Sequence, residues 1–165
     1  MKKIDFNKSN KSDIVAWFDG ACKNVKDELE PMGVGVLIKK DDEIIVSKAI
    51  SPDILGTSNV AEYIGLVTTL REVLNYIQRN KDKVVVTDVL IHSDSQLVVN
   101  HYHQNWQCRN GVLKSYLDEA LSLSNIFKKL DVKLTLKWVR RNFNTEADEL
   151  SKFGHQDSIL KFSEK

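Results

Sequence analysis

Cysteine is nearly absent from this chain of 165 residues; Cys22 and Cys108 are the two it has. Two thiols so far apart make neither a disulfide framework nor a four-ligand zinc site. Each reads as a buried or half-buried thiol, and the sequence leaves open whether they pair. Long apolar runs are missing too. None approaches the roughly 18 residues of a membrane span. The opening MKKIDFNKSNKSD is polar beyond Ile4 and Phe6 and lacks the apolar segment of a secretory signal. The expectation is therefore a cytoplasmic protein with no membrane partner. Charge of one sign is not in excess, at net +1, so nucleic-acid binding would have to rest on local patches rather than long-range steering. Such patches occur at Lys23 and Lys26, at Lys39 and Lys40, at Arg79, Lys81 and Lys83, at Lys128 and Lys129, and at Lys137, Arg140 and Arg141. There is no HExxH, no glycine-rich phosphate loop and no Ser-His-Asp order in a suitable setting. Metalloprotease, nucleotide-loop and serine-hydrolase chemistries are thereby set aside.

What is present is a succession of well-marked elements. The length favours one domain. Ile14 to about Cys22 opens with an unbroken apolar run, as a strand buried on both faces would. Met32 to Ile38 and Ile44 to Ala49 or Ile50 follow as strands, with Lys40 to Glu43 as the turn between them. A helix is predicted from about Ser58 to Gln78, because Val60, Ile64, Val67, Leu70, Leu74 and Ile77 recur at three- and four-residue steps. Asn59 and Glu62 have the spacing of a capping box at its start. Val84 to Ser93 reads as a fourth strand, Asp94-Ser95 as the cap of a short helix to about His101, and Val112 to Leu130 as a longer helix. Val132 to Val139 is the fifth strand, and Thr145 to Phe153 the last helix.

Three meander strands followed by crossover helices predict an α/β fold: a mixed five-stranded sheet with helices on both faces. The first and fourth strands should be parallel neighbours. The ligand crevice is expected at their carboxyl ends, where the strand order switches. The domain is placed at residues 13–154, after a polar extension over 1–12 and before a loose tail over 155–165.

Four carboxylates stand at the ends of these elements: Asp19, Glu62, Asp94 and Asp148. Singly, three have structural readings. Glu62 can complete a capping box, Asp94 can cap a helix, and Asp148 sits in a first turn where the helix dipole favours negative charge. Asp19 resists such a reading, because it follows five apolar residues in a central strand, where an unpaired carboxylate costs several kcal/mol. Gathered together, the four make an anionic site that protons or cations must neutralise. Hard divalent cations suit oxygen ligands, and a pair of them held about 3.5–4 Å apart suits in-line phosphodiester hydrolysis. Gly33 and Gly35, inside a strand, point to something packed close above it.

The segments Phe18-Asp19-Gly20-Ala21-Cys22, Thr57 to Glu62, Ser93-Asp94-Ser95-Gln96 and Asn144 to Ser151 occur in the order and spacing of type 1 ribonuclease H. From about Asp13 to Gly154 the chain resembles that family. The resemblance implies an RNase H-like fold and a metal-dependent endonuclease. Such an enzyme cuts the RNA strand of an RNA–DNA hybrid with two Mg2+ or Mn2+ ions, leaving 5′-phosphate and 3′-hydroxyl ends. It implies Asp19, Glu62, Asp94 and Asp148 as the metal-binding catalytic acids. It also implies Asn59 and Gln96 as contacts in the minor groove, Thr57 as part of a DNA-phosphate pocket, and the backbone around Cys22 as a reader of 2′-hydroxyls. Recognition of an RNA strand without reading its sequence is what such minor-groove contacts achieve. A monomer is expected. The alternative is a hybrid- or duplex-binding module of the same fold with weak turnover.

The chain departs from the resemblance in two places. Many members carry a loop histidine before the last acid, whereas here Arg140, Arg141, Asn142 and Phe143 fill that interval. Arg140 or Arg141 could contact a substrate phosphate, and neither can shuttle protons. His155 could reach the site from the tail, while His92, His101 and His103 read as strand-end and helix-surface residues. The basic protrusion of some bacterial members is replaced by His103 to Gly111, where Trp106 is read as filling the core edge, with stacking on a sugar as the alternative. In this the chain resembles the compact archaeal and retroviral-type members.

Overall fold

The computed structural model describes residues 13–164; the extension expected over residues 1–12 lies outside the described residues. The strands are β1 (Ile14–Cys22), β2 (Met32–Lys40), β3 (Glu43–Ile50), β4 (Asp88–Ser93) and β5 (Lys133–Trp138). The helices are α1 (Ser58–Arg79), α2 (Gln96–Tyr102), α3 (Gly111–Lys129) and α4 (Thr145–Ser163), with a 3-10 turn over Arg141–Phe143. The sheet order is β3-β2-β1-β4-β5. β1 to β3 form the antiparallel meander, and β4 lies parallel to both β1 and β5, as expected.

Side-chain alternation places the layers. Gly33 and Gly35 pair with Ala21 and Asp19 across β1 and β2, so these residues share one face of the sheet. A Cβ on either glycine would collide with the α4 backbone, and that face carries α4. Gly20, one residue out of phase, meets α1 instead. The α1 face holds the main core, where Ile14, Ala16 and Phe18 pack with Val60, Leu66, Leu70 and Val73, and α3 packs behind α1. Covered by α1 below and α4 above, β2 is buried from Met32 through Ile38. No helix among the described residues is long and apolar enough to cross a membrane.

Several expectations need correction. Thr57, not Asn59, is the N-cap of α1; its extended backbone (φ −121°, ψ 169°) lets its hydroxyl accept from the Val60 N–H at 3.3 Å. The capping box does not form, which leaves Glu62 one turn into the helix and free to face elsewhere. Pairing in β4 begins at Asp88 rather than Val84, because β1 offers no partner before Ile14 opposite Val89. The Thr87 N–H donates instead to the Asp13 carboxylate at 2.7 Å.

The last helix does not end at Phe153, and no loose tail follows it among the described residues. It runs to Ser163, because Gly154 lets it lie against the Ile50 carbonyl. Ser51 donates to the Gly154 carbonyl at 2.7 Å, Ser158 is buried, and Lys161 donates to the Ser51 carbonyl while pairing with Asp53. His101 is buried rather than on the helix surface, with Nδ1 at 2.7 Å from the Tyr63 hydroxyl. Trp106 does not fill the core edge; it is 47% exposed. Both cysteines are free thiols.

Candidate metal-binding active site

The parallel pairing of β1 with β4 sets Phe18 beside Ser93. Asp19 and Asp94, the next residue in each case, therefore emerge side by side at the carboxyl end of the sheet. Asp19 is 3% exposed. Glu62 reaches them from α1, which Gly20 lets approach closely: a Cβ there would stand 2.5 Å from the Glu62 backbone nitrogen. Asp19, Glu62 and Asp94 each offer an oxygen within 4.8 Å of the others. The Glu62 Oε2 atom is buried without a hydrogen-bond partner.

Asp148 is not part of that trio but lines the same cleft. It sits in the first turn of α4, where Lys152 Nζ meets one carboxylate oxygen at 2.8 Å and Arg141 meets the other at 3.4 Å. The Ser151 hydroxyl lies 3.2 Å from Asp19 Oδ2 and 2.7 Å from the Asp148 carbonyl oxygen. The cleft measures about 490 Å3, and Gly20 to Asn24, Ser58, Arg141, Lys152 and His155 complete its walls.

Electrostatics follow from this crowding. Burial first, and then the Asp94 charge, pushes the Asp19 carboxyl up to about 7. Burial and then Asp19 raise Glu62 well above the usual carboxylate range, and burial raises Asp94. Asp148 goes the other way: burial acts to raise it, but the hydrogen bonds with Lys152 and Asp19 and the Lys152 and Arg141 charges together outweigh that and hold it low. Three carboxyls that resist ionisation side by side call for a cation to neutralise them. An unpaired buried oxygen on one of them and an all-oxygen donor set fit a hard divalent ion such as Mg2+ or Mn2+.

Of the other residues singled out from the sequence, Cys22 and Arg141 line this cleft. Thr57 and Asn59 do not; both are exposed and line an adjacent groove with Leu29, Asn110, Val112 and Leu113. Gln96 is exposed on the first turn of α2, and Arg140 is exposed just before the 3-10 turn. His155 reaches the cleft from α4 rather than from a tail, and its Nε2 is buried without a partner. Sequence reasoning missed Lys152, although its place four residues after Asp148 on one helix was a usable signal. It also missed Ser151 and Asn144 as site residues, although both lie in a quoted segment.

The family model described as reverse transcriptase-like matches residues 17–154. Among curated proteins, the bifunctional protein Rv2228c of Mycobacterium tuberculosis is 30% identical over 123 residues, 73% of this chain and 30% of that protein. The chain thus spans about a third of the length of the curated relatives it matches. Two solved structures share the fold. The N-terminal RNase H domain of Rv2228c, fused to maltose binding protein, superposes with a TM-score of 0.74 at 22% identity, covering 92% of this chain and 99% of that one. LC11-RNase H1, isolated from compost by a metagenomic approach and solved with an RNA/DNA hybrid, gives a TM-score of 0.70 at 22% identity, covering 88% and 99%.

Proposed function

Because the chain belongs to the reverse transcriptase-like family, whose model spans residues 17–154, we propose that it is a ribonuclease H. In this reading it hydrolyses the RNA strand of RNA–DNA hybrids internally, leaving 5′-phosphate and 3′-hydroxyl ends. The observation that carries the proposal is the trio of Asp19, Glu62 and Asp94 oxygens within 4.8 Å of one another, with Glu62 Oε2 buried and unpartnered. The hybrid bound to LC11-RNase H1, a protein of the same fold, supports the substrate class.

Asp19, Glu62, Asp94 and Asp148 would hold the divalent cations, Mg2+ or Mn2+, and two ions are the number we propose. Bound there, the metal would supply an activated water and neutralise charge developing on the scissile phosphate. The protein's own residues supply the rest. Lys152 holds Asp148 ionised and in place, and Ser151 braces Asp19 from the α4 side. Arg141, at the cleft wall and 77% exposed, presents a guanidinium to a phosphate oxygen. Backbone from Gly20 to Cys22, along the cleft, faces the 2′-hydroxyls of the RNA strand. Thr57, Asn59, Gln96 and Arg140, outside the cleft, contact the flanking duplex. The same reading makes the protein a cytoplasmic monomer.

The test uses a labelled RNA–DNA hybrid, a DNA duplex and an RNA duplex, with magnesium, manganese or chelator. Asp19→Asn and Asp94→Asn are run in parallel. Metal-dependent cuts within the RNA strand of the hybrid, lost by several orders of magnitude in both variants, are expected. Metal-independent cutting, or variants as active as the parent, would overturn the assignment. A wild-type chain that binds the hybrid and never cuts it would instead be a binding module.

A further inference from the structure

We propose that Asn144 is a positioning residue for the metal-binding acids, acting through Asp94. It sits between the 3-10 turn and α4, at the position that caps α4. There, an asparagine side chain ordinarily accepts from the first free N–H groups of its helix. Asn144 makes no such bond. Its side chain turns inward instead and is 1% exposed. From there Nδ2 donates to the Phe18 carbonyl at 2.8 Å and to Asp94 Oδ2 at 3.3 Å.

The cost of that arrangement is visible. Asn144 Oδ1 is buried with no hydrogen-bond partner, and a buried acceptor left unpaired is penalised. Turning the amide over would not help, because it would set Oδ1 against a carbonyl oxygen and a carboxylate. The two acceptors therefore fix which way the amide faces. A residue that forgoes its helix cap and strands an acceptor does so for what its donor reaches.

What the donor reaches is the junction of the site. Phe18 is the residue before Asp19, and Asp94 is the acid beside it. The main chain of Asn144 completes the connection: its carbonyl accepts from the Asp148 N–H at 3.0 Å. One residue thus ties the strand carrying Asp19, the Asp94 carboxylate and the helix turn carrying Asp148. Holding one oxygen of Asp94 sets the rotation of that carboxylate. Groups that orient metal-binding carboxylates in this way typically change metal affinity by about 10–100-fold when removed.

This inference rests on the metal-site reading above, and two variants separate it from a merely structural role. Asn144→Ala removes the donor. Asn144→Ser does so too, because the shorter side chain cannot reach Asp94, yet serine is as good a helix cap as asparagine. Manganese binding is followed by electron paramagnetic resonance on the full chain, alongside thermal melting and steady-state hybrid cleavage.

Both variants should bind Mn2+ about 10–100-fold more weakly. They should lower the cleavage rate constant at limiting metal while leaving KM for the hybrid within about twofold of the parent. Asn144→Ser should melt close to the parent, and it carries the test if Asn144→Ala does not fold. Binding of Mn2+ within about threefold of the parent in Asn144→Ser, or recovery of parental behaviour by serine, would overturn the proposal. A parent that binds Mn2+ but leaves the hybrid intact would sink the ribonuclease reading and not this one.

Discussion

Gly20 and Glu62 meet where the first strand passes under the first helix, and the missing side chain of one positions the carboxylate of the other. A Cβ on Gly20 would stand 2.5 Å from the Glu62 nitrogen and 2.6 Å from the Ala61 carbonyl carbon. Backbone atoms cannot rotate aside. Gly20→Ala should therefore push the start of α1 outward and take Glu62 from the trio. Hybrid cleavage should fall at least about a hundredfold, with about 1–3 kcal/mol lost in stability. Kinetics and urea unfolding of the variant check both; parental activity would mean α1 has room to spare.

Stability without metal should depend on pH through the same trio. Asp19 titrates at about 7 in the folded chain and near ~3.9 when unfolded. The folded form keeps a proton that the unfolded form gives up. Its stabilising contribution is full below about pH 4 and is lost as pH rises to about 7. Glu62 and Asp94, also raised, act in the same direction. Asp148, held low, contributes above the ordinary carboxylate range and loses its contribution in acid. In chelator, the parent should melt several degrees lower at pH 8 than at pH 5.5, each kcal/mol moving the midpoint by about 2–4 °C. Asp19→Asn should flatten that slope, and Mn2+ at pH 8 should restore the parent. Coincident melts of parent and variant at both pH values would count against the buried charge cluster.

Arg141 should matter to turnover and not to folding. Its bond to Asp148 is long, at 3.4 Å, and largely in solvent, and such pairs contribute about 0–1 kcal/mol. Arg141→Ala should leave the melting temperature unchanged within error while lowering kcat/KM by about tenfold or more. Lys152→Ala, which removes the 2.8 Å bond to Asp148, should move the acid limb of the cleavage profile to higher pH. A melting shift with normal kinetics for Arg141→Ala would assign it to structure alone.

Trp106, 47% exposed in the turn between α2 and α3, is available for stacking. Loss of such a contact costs about 1–3 kcal/mol in binding. Trp106→Ala should raise KM for the hybrid roughly tenfold with no change in melting. An altered melting temperature and an unaltered KM would return the side chain to a packing role.

Removing residues 156–165 should lower the melting temperature, because Ser158 and the Lys161 contacts with Ser51 and Asp53 go with them. The four acids remain, so residual hybrid cleavage at low temperature is expected. A truncated chain as stable as the parent would show that the second half of α4 contributes nothing.

Periodicity and order carried most of the fold, because strands buried on both faces and a helix with a clean apolar stripe announce themselves locally. All five strands, the parallel pairing of β1 with β4 and the close packing over Gly33 and Gly35 were legible. The end of α4 was not. Its second half is held by Gly154 against Ile50 and by Lys161 against Ser51, contacts to residues about a hundred positions earlier that leave no local pattern. The cap of α1 was misplaced by two residues, since Thr57 and Asn59 are both capping types and only backbone geometry distinguishes them.

In the site, the convergence of Asp19, Glu62 and Asp94 followed from where their elements end. The scatter of Thr57, Asn59, Gln96 and Arg140 outside the cleft did not, because exposed side chains carry no periodic signal. Asn144 was hidden for a different reason. Its residue type and place suit an ordinary helix cap, and only its inward turn reveals otherwise.

The four acids come from β1, α1, β4 and α4, so the fourth arrives in the last helix of the chain. Asp148 joins the others only where α4 docks on β2. Peeling that helix from the sheet would open one corner of the carboxylate cleft and leave the trio from β1, α1 and β4 standing.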